Sequence, residues 1–187
     1  MIREYWLIAV SVIGVAVYTV YGLKKRVPYH KILLSVIFIL YMATLLSATM
    51  FPIKYDHELM KETDTAFERI KLVPFQVIIE EITSNCPYNA FVQIVGNIVM
   101  TIPFGVIVPF LKKFRNRTEA VLYALALPVL IEMTQLVLDF SLGTFYRTVD
   151  IDDVILNFTG VMTGYLLYRI MPDRFKKKSL GRISFVG

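Results

Sequence analysis

Three polar residues, Glu132, Gln135 and Asp139, interrupt an otherwise apolar run at intervals of three and four. On a helix that spacing places them on one face. Gln93 and Asn97 stand four apart in a second apolar run, and Asp150, Asp152, Asp153 and Asn157 open a third. A carboxylate in apolar surroundings needs a cation, a proton or water, so Glu132 is the group most suited to ligand binding or acid–base chemistry. The amides could instead bond simply across helices, where each bond contributes only ~1 kcal/mol. Asp150, Asp152 and Asp153 offer oxygen ligands to a divalent cation, but the spacing of a calcium loop is absent. Their position favours capping of a helix N-terminus, where acids suit the helix dipole. Arg147 lies close enough in sequence to pair with Asp150, and it could reach Glu132 from a loop.

The elements that must position these groups are long and apolar. A bilayer-spanning helix needs roughly 20 largely apolar residues. Five stretches qualify: Tyr5 to Leu23, Ile32 to Phe51, Ala90 to Leu111, Ala120 to Leu138, and Val154 to Met171. The hydrophobic fraction is 56% and the mean hydropathy +0.60, more than a soluble core demands. The fold class expected is all-α, a polytopic membrane bundle of about five transmembrane helices, with residues 1–187 forming a single membrane domain.

Charge sets the expected orientation. Lys24, Lys25, Arg26 and Lys31 fill the first connection, and Lys112, Lys113, Arg115 and Arg117 the third. Arg174, Lys176, Lys177, Lys178 and Arg182 make residues 172–187 a basic tail, whereas the connection from Asp139 to Asp153 has Arg147 alone. Basic loops stay cytoplasmic, so the N-terminus is expected outside and the tail inside. The net charge of +5 is spread through these clusters, and no nucleic-acid partner is expected. Arg3 precedes the first apolar run and the larger cluster follows it, the reverse of a cleaved signal.

The connection from Pro52 to Asn89 contains Phe75, Ile78, Ile79 and Ile82 at helical spacing, with Pro74 suited to a first turn. This predicts a short amphipathic helix on the outer side. It lies on the membrane surface or packs on the end of the bundle. Counted at ~1.5 Å per residue, Asn97, Glu132 and Asn157 fall roughly 5–11 Å below the outer surface. Gln93, Asn97, Glu132, Gln135, Arg147, Asp150, Asp153 and Asn157 are therefore the candidates for a polar cleft that opens outward. Gly160 and Gly164 form a GxxxG spacing, a close-packing face that would serve either a homo-oligomer or internal packing. The lone Cys86 cannot form an intrachain disulfide, and His30 and His57 lie in loops on opposite sides. No nucleotide loop, zinc motif or Ser-His-Asp order is present, so no cofactor is expected.

Taken in order, the residues resemble a family. Leu72-Val73-Pro74-Phe75, then Asn97 through Pro103-Phe104-Gly105, then Ile131-Glu132 and Gln135, then Arg147 with Asp150, Asp152, Asp153 and Asn157, then Gly160 and Gly164, look like VanZ-like membrane proteins. The resemblance covers residues 70–170. Pro128 stands where that family would have a small hydroxyl residue, which affects local helix geometry. The resemblance implies a bacterial cytoplasmic-membrane protein of the cell envelope. The family's namesake is associated with low-level teicoplanin resistance, without the altered peptidoglycan precursor of vancomycin resistance. Three functions follow as alternatives. The first is a protein whose cleft meets a lipid-linked envelope precursor or a glycopeptide antibiotic. The second is an enzyme acting on an envelope lipid, with Glu132 as acid or base. The third is a small transporter or assembly partner. The few polar groups in the cytoplasmic halves of the spans weigh against a transporter, and membrane lipids are partners under any of the three.

Overall fold

The structure is a computed structural model that describes residues 5–50, 70–83, 87–142, 149–173 and 176. Its helices are α1 (Tyr5–Lys24), α2 (Tyr29–Met50), α3 (Gln76–Ile82), α4 (Pro87–Leu111), α5 (Arg117–Leu142) and α6 (Ile151–Ile170). Two short strands, β1 (Ile70–Lys71) and β2 (Val149–Asp150), pair in parallel with Ile70 opposite Val149 and Lys71 opposite Asp150. The fold is all-α, with this pair tying the segment before α3 to the start of α6.

Four helices are long and apolar enough to cross a membrane: Leu7–Lys24, Tyr29–Met50, Ala90–Leu111 and Arg117–Ser141. The fifth expected span, α6, has 20 residues. It is less apolar because Asp152, Asp153, Asn157 and Arg169 fall within it. The chain is a membrane protein by these helices, and its exposed apolar side chains fit that setting. Val12, Ile13 and Val17 on α1 and Leu122, Leu130 and Val137 on α5 are all more than half exposed, which a lipid solvent favours and water does not.

The interior joins four helices. Leu45 and Met50 of α2, Ala124, Leu127 and Ile131 of α5, and Val161 of α6 form the buried cluster, with Phe104 of α4 packed against it. The Tyr41 hydroxyl donates to the Met100 carbonyl at 2.8 Å and fixes α2 to α4. The first helix joins this core through α2, where Ser35 Oγ donates to the Tyr18 hydroxyl at 3.0 Å.

The closest pairing is α4 with α6. A Cβ at Gly105 would lie 2.0 Å from the Val161 carbonyl oxygen, one at Gly160 2.2 Å from that of Ile98, and one at Gly164 2.1 Å from that of Ile102. Backbones at that separation admit only glycine. Without a hydrophobic drive between helices in lipid, such close contact is what holds them. Rising numbers on α4 meet rising numbers on α6, so the two run parallel and their N-terminal ends lie together. The Gly160 and Gly164 face is thus covered by α4 of the same chain.

The short helix α3 starts one residue later than its apolar spacing suggests. Pro74 is outside it, and Phe75 is its N-cap in the left-handed region at φ 66°. Val77 and Ile78 are half-buried, and the helix contacts α4 and α6. Leu72, Val73, Phe75, Ile79 and Ile82 are more than half exposed. One side therefore packs on the end of the bundle and the other presents a continuous apolar ridge.

Candidate functional site

The polar groups of α4 and α6 meet at their shared N-terminal end. Gln93 Nε2 donates to Asp153 Oδ1 at 3.1 Å, and Asn97 Nδ2 donates to the same oxygen. One turn deeper, the Thr101 hydroxyl, fully buried, donates to the Asn157 carbonyl at 2.9 Å. The Asn157 side chain is 1% exposed, and its Oδ1 has no hydrogen-bond donor among the described residues. A buried acceptor left open costs about 1–3 kcal/mol, so it marks a place for a donor.

Helix α5 reaches the same end from the opposite direction. Glu132 is 4% exposed, and its Oε2 accepts the Asp150 N–H at 3.2 Å. Its carboxyl group is thus held against backbone at the start of α6. Gln135 turns away: its Nε2 donates to the Thr49 carbonyl on α2 at 2.9 Å. Asp139, also on that face, is buried. Arg147 lies outside the described residues.

The three aspartates separate by role. Asp150 is the N-cap of α6, its side chain accepting the Asp152 N–H at 2.8 Å. Burial pushes its carboxyl up to about 6, against the lowering by the Asp152 N–H and with a further rise from the charges of Asp153 and Asp152. Asp152 is fully buried and faces α3. One oxygen accepts the Phe75 N–H, and the other accepts those of Val77 at 3.1 Å and Ile78 at 3.2 Å. Asp153 serves the two amides of α4. No group of three acids, histidines or cysteines suited to a metal forms among the described residues.

A model of the VanZ/LLP1 family matches residues 38–172 of the chain. The chain belongs to the VanZ/LLP1 family. No curated protein matches it, and no solved structure does either. The VanZ/LLP1 match begins inside α2, so it takes in the Tyr41 and Thr49 contacts along with the polar end.

Of the residues singled out by type and spacing, the structure joins Gln93, Asn97 and Asp153 in one set and Glu132 with Asp150 in another. The turn from Asp150 to Asp153 links the two. Asn157 sits beneath them, and Gln135 belongs to the α2 contact. Two participants gave no clear sequence signal. Thr101 is an ordinary hydroxyl in an apolar run, detectable only as the residue four after Asn97. The binding of Asp152 to the amides of the α3 N-terminus joins residues 74 to 77 positions apart, beyond any local pattern.

Proposed function

We propose that the chain is a multi-pass protein of the bacterial cytoplasmic membrane whose polar end faces outward. There it engages a lipid-linked envelope precursor or a glycopeptide, and so lowers teicoplanin action at the cell surface. The supporting observation is the open Asn157 Oδ1 beneath Asp153. Both ligand classes carry N–H and O–H donors, and this end of the bundle is rich in acceptors. Gln93, Asn97 and Asp153 are only partly buried, so they form the entry to the layer that holds Glu132, Asp150 and Asn157. The exposed ridge of Leu72, Val73, Phe75, Ile79 and Ile82 stands beside that entry and suits contact with lipid tails.

Two measurements test this reading. Expression in a sensitive Gram-positive host should raise teicoplanin tolerance modestly and leave vancomycin tolerance nearly unchanged. Asn157→Leu should remove the rise while the inserted protein level stays the same, since the one hydrogen bond that Thr101 makes to Asn157 uses its backbone carbonyl. No rise with an inserted wild-type protein would dismiss resistance as the function. Orientation is read separately by reporter fusions. Those after Arg26, Arg117 and Lys178 should report the cytoplasm, and those near Asp64 and Thr144 the outside. Reversal of any pair would overturn the outward placement.

A further inference from the structure

The short helix α3 has three faces. At ~3.6 residues per turn, Phe75, Ile79 and Ile82 share one, Gln76 and Glu80 a second, and Val77 and Ile78 a third. The third packs on the bundle, where Asp152 accepts the Val77 and Ile78 N–H groups. The second is closed on itself: Gln76 Nε2 donates to Glu80 Oε1 at 2.8 Å, and Glu80 pairs with Lys71. The first, continued by Leu72 and Val73, keeps all its side chains more than half exposed. Contiguous apolar surface of this kind marks an interface.

What covers it follows from its surroundings. Helix α3 packs on α4, whose long apolar stretch begins at Ala90. Phe91, Val92 and Val95 are exposed in the first turns of that stretch. The ridge therefore continues the apolar surface that the spans turn toward lipid. Residues 51–69, the preceding stretch of chain, carry eight charged side chains and match water better than the ridge. A helix of seven residues is too short to span, so its apolar face belongs along the interface.

We propose that the ridge of Leu72, Val73, Phe75, Ile79 and Ile82 is seated in the headgroup–acyl boundary of the leaflet around the α4 N-terminus, with the lipid surface itself as its partner. The same anchor sets the depth of the polar end. Asp152 ties α3 to the start of α6, and the next residue, Asp153, takes Gln93 and Asn97. The entry to the polar layer thus opens at headgroup level, where a lipid-borne group arrives by lateral diffusion. The seating of α3 stands whichever ligand the polar end takes, and on whichever side of the membrane it lies.

The test is spin labelling of the full chain in vesicles of dioleoyl phosphatidylcholine, with Cys86→Ser removing the sole cysteine. Nitroxides at Ile79→Cys and Ile82→Cys should collide with oxygen in preference to a water-soluble nickel chelate, at a depth of ~5–10 Å. A label at Leu130→Cys, in the middle of α5 and 63% exposed, should read deeper. One at Lys113→Cys, in the exposed connection after α4, should favour the chelate. Preference for the chelate at both ridge positions would place the ridge in water and overturn the proposal. Low access to both reagents would mean that protein covers the ridge, residues 51–69 or a second copy, and would overturn it equally. A second readout needs no cysteine. Ile79→Trp, with the sole tryptophan removed by Trp6→Phe, should be quenched more strongly by lipid brominated along the acyl chain than by aqueous iodide. The reverse order overturns the seating as well.

Discussion

Asp152→Asn is expected to lower the stability of the detergent-extracted protein by about 3 kcal/mol or more, and Asp152→Ala by at least as much. The wild-type carboxylate accepts three backbone N–H groups, those of Phe75, Val77 and Ile78. Asparagine keeps one acceptor oxygen and turns a donor toward the other N–H groups. Alanine leaves all three unpaired at a helix N-terminus whose dipole favours an anion. The Phe75 backbone holds a left-handed conformation, which a bulky residue adopts only under constraint. The loss should therefore be local as well as global. Thermal melting gives the magnitude, and limited proteolysis within residues 70–83 shows where the structure opens first. If Asp152→Asn melted with the wild type and resisted proteolysis equally, the carboxylate would not be what holds α3.

The second large effect is expected at the α4–α6 contact. Gly160→Ala places a methyl 2.2 Å from both the Ile98 carbonyl oxygen and Thr101 Oγ1. Gly105→Ala places one 2.0 Å from the Val161 carbonyl oxygen. Neither backbone can move alone, so the two helices must part. Parting stretches the Thr101 bond to Asn157 and the bonds of Gln93 and Asn97 to Asp153 together. Each substitution should cost about 3 kcal/mol, at the upper end of overpacking. Gly96→Ala on the same helix is the control, because nothing lies within 4 Å of its Cβ. It should gain about 0.5–1 kcal/mol from helix propensity. The readout is the melting midpoint of the three variants side by side. Comparable behaviour of all three would mean that the close approach contributes nothing.

The polar end shows how much of such a site is local. Asn97 was visible as a polar residue inside one apolar run and Asp153 as one at the opening of another. The bond between them requires α4 and α6 to run parallel and in contact, and the traces of that contact in the sequence are Gly105 and the pair Gly160 and Gly164. The GxxxG spacing is equally compatible with a partner chain. The carbonyl oxygens of Ile98 and Ile102 under those glycines decide in favour of internal packing. Gln135 is the opposite case. Its spacing from Glu132 places both on one face, yet a helix face is wide enough for two neighbours. Glu132 meets the α6 start while Gln135 meets α2.

What the sequence determined by itself is the membrane setting, the helices and the family's ordered residues. Those features are local or one-dimensional. Run length, charge clusters and capping aspartates act on their own segment, and a bilayer forces each apolar run to satisfy its backbone within a helix. Only the tertiary structure decided which polar groups meet, and which acceptor stays open. It also assigned the α3 N-terminus to Asp152 in place of a local cap. The physical reason is that a carboxylate takes whichever N–H groups the packing brings within about 3 Å. In this chain those groups come from residues 74, 75 and 77 positions away.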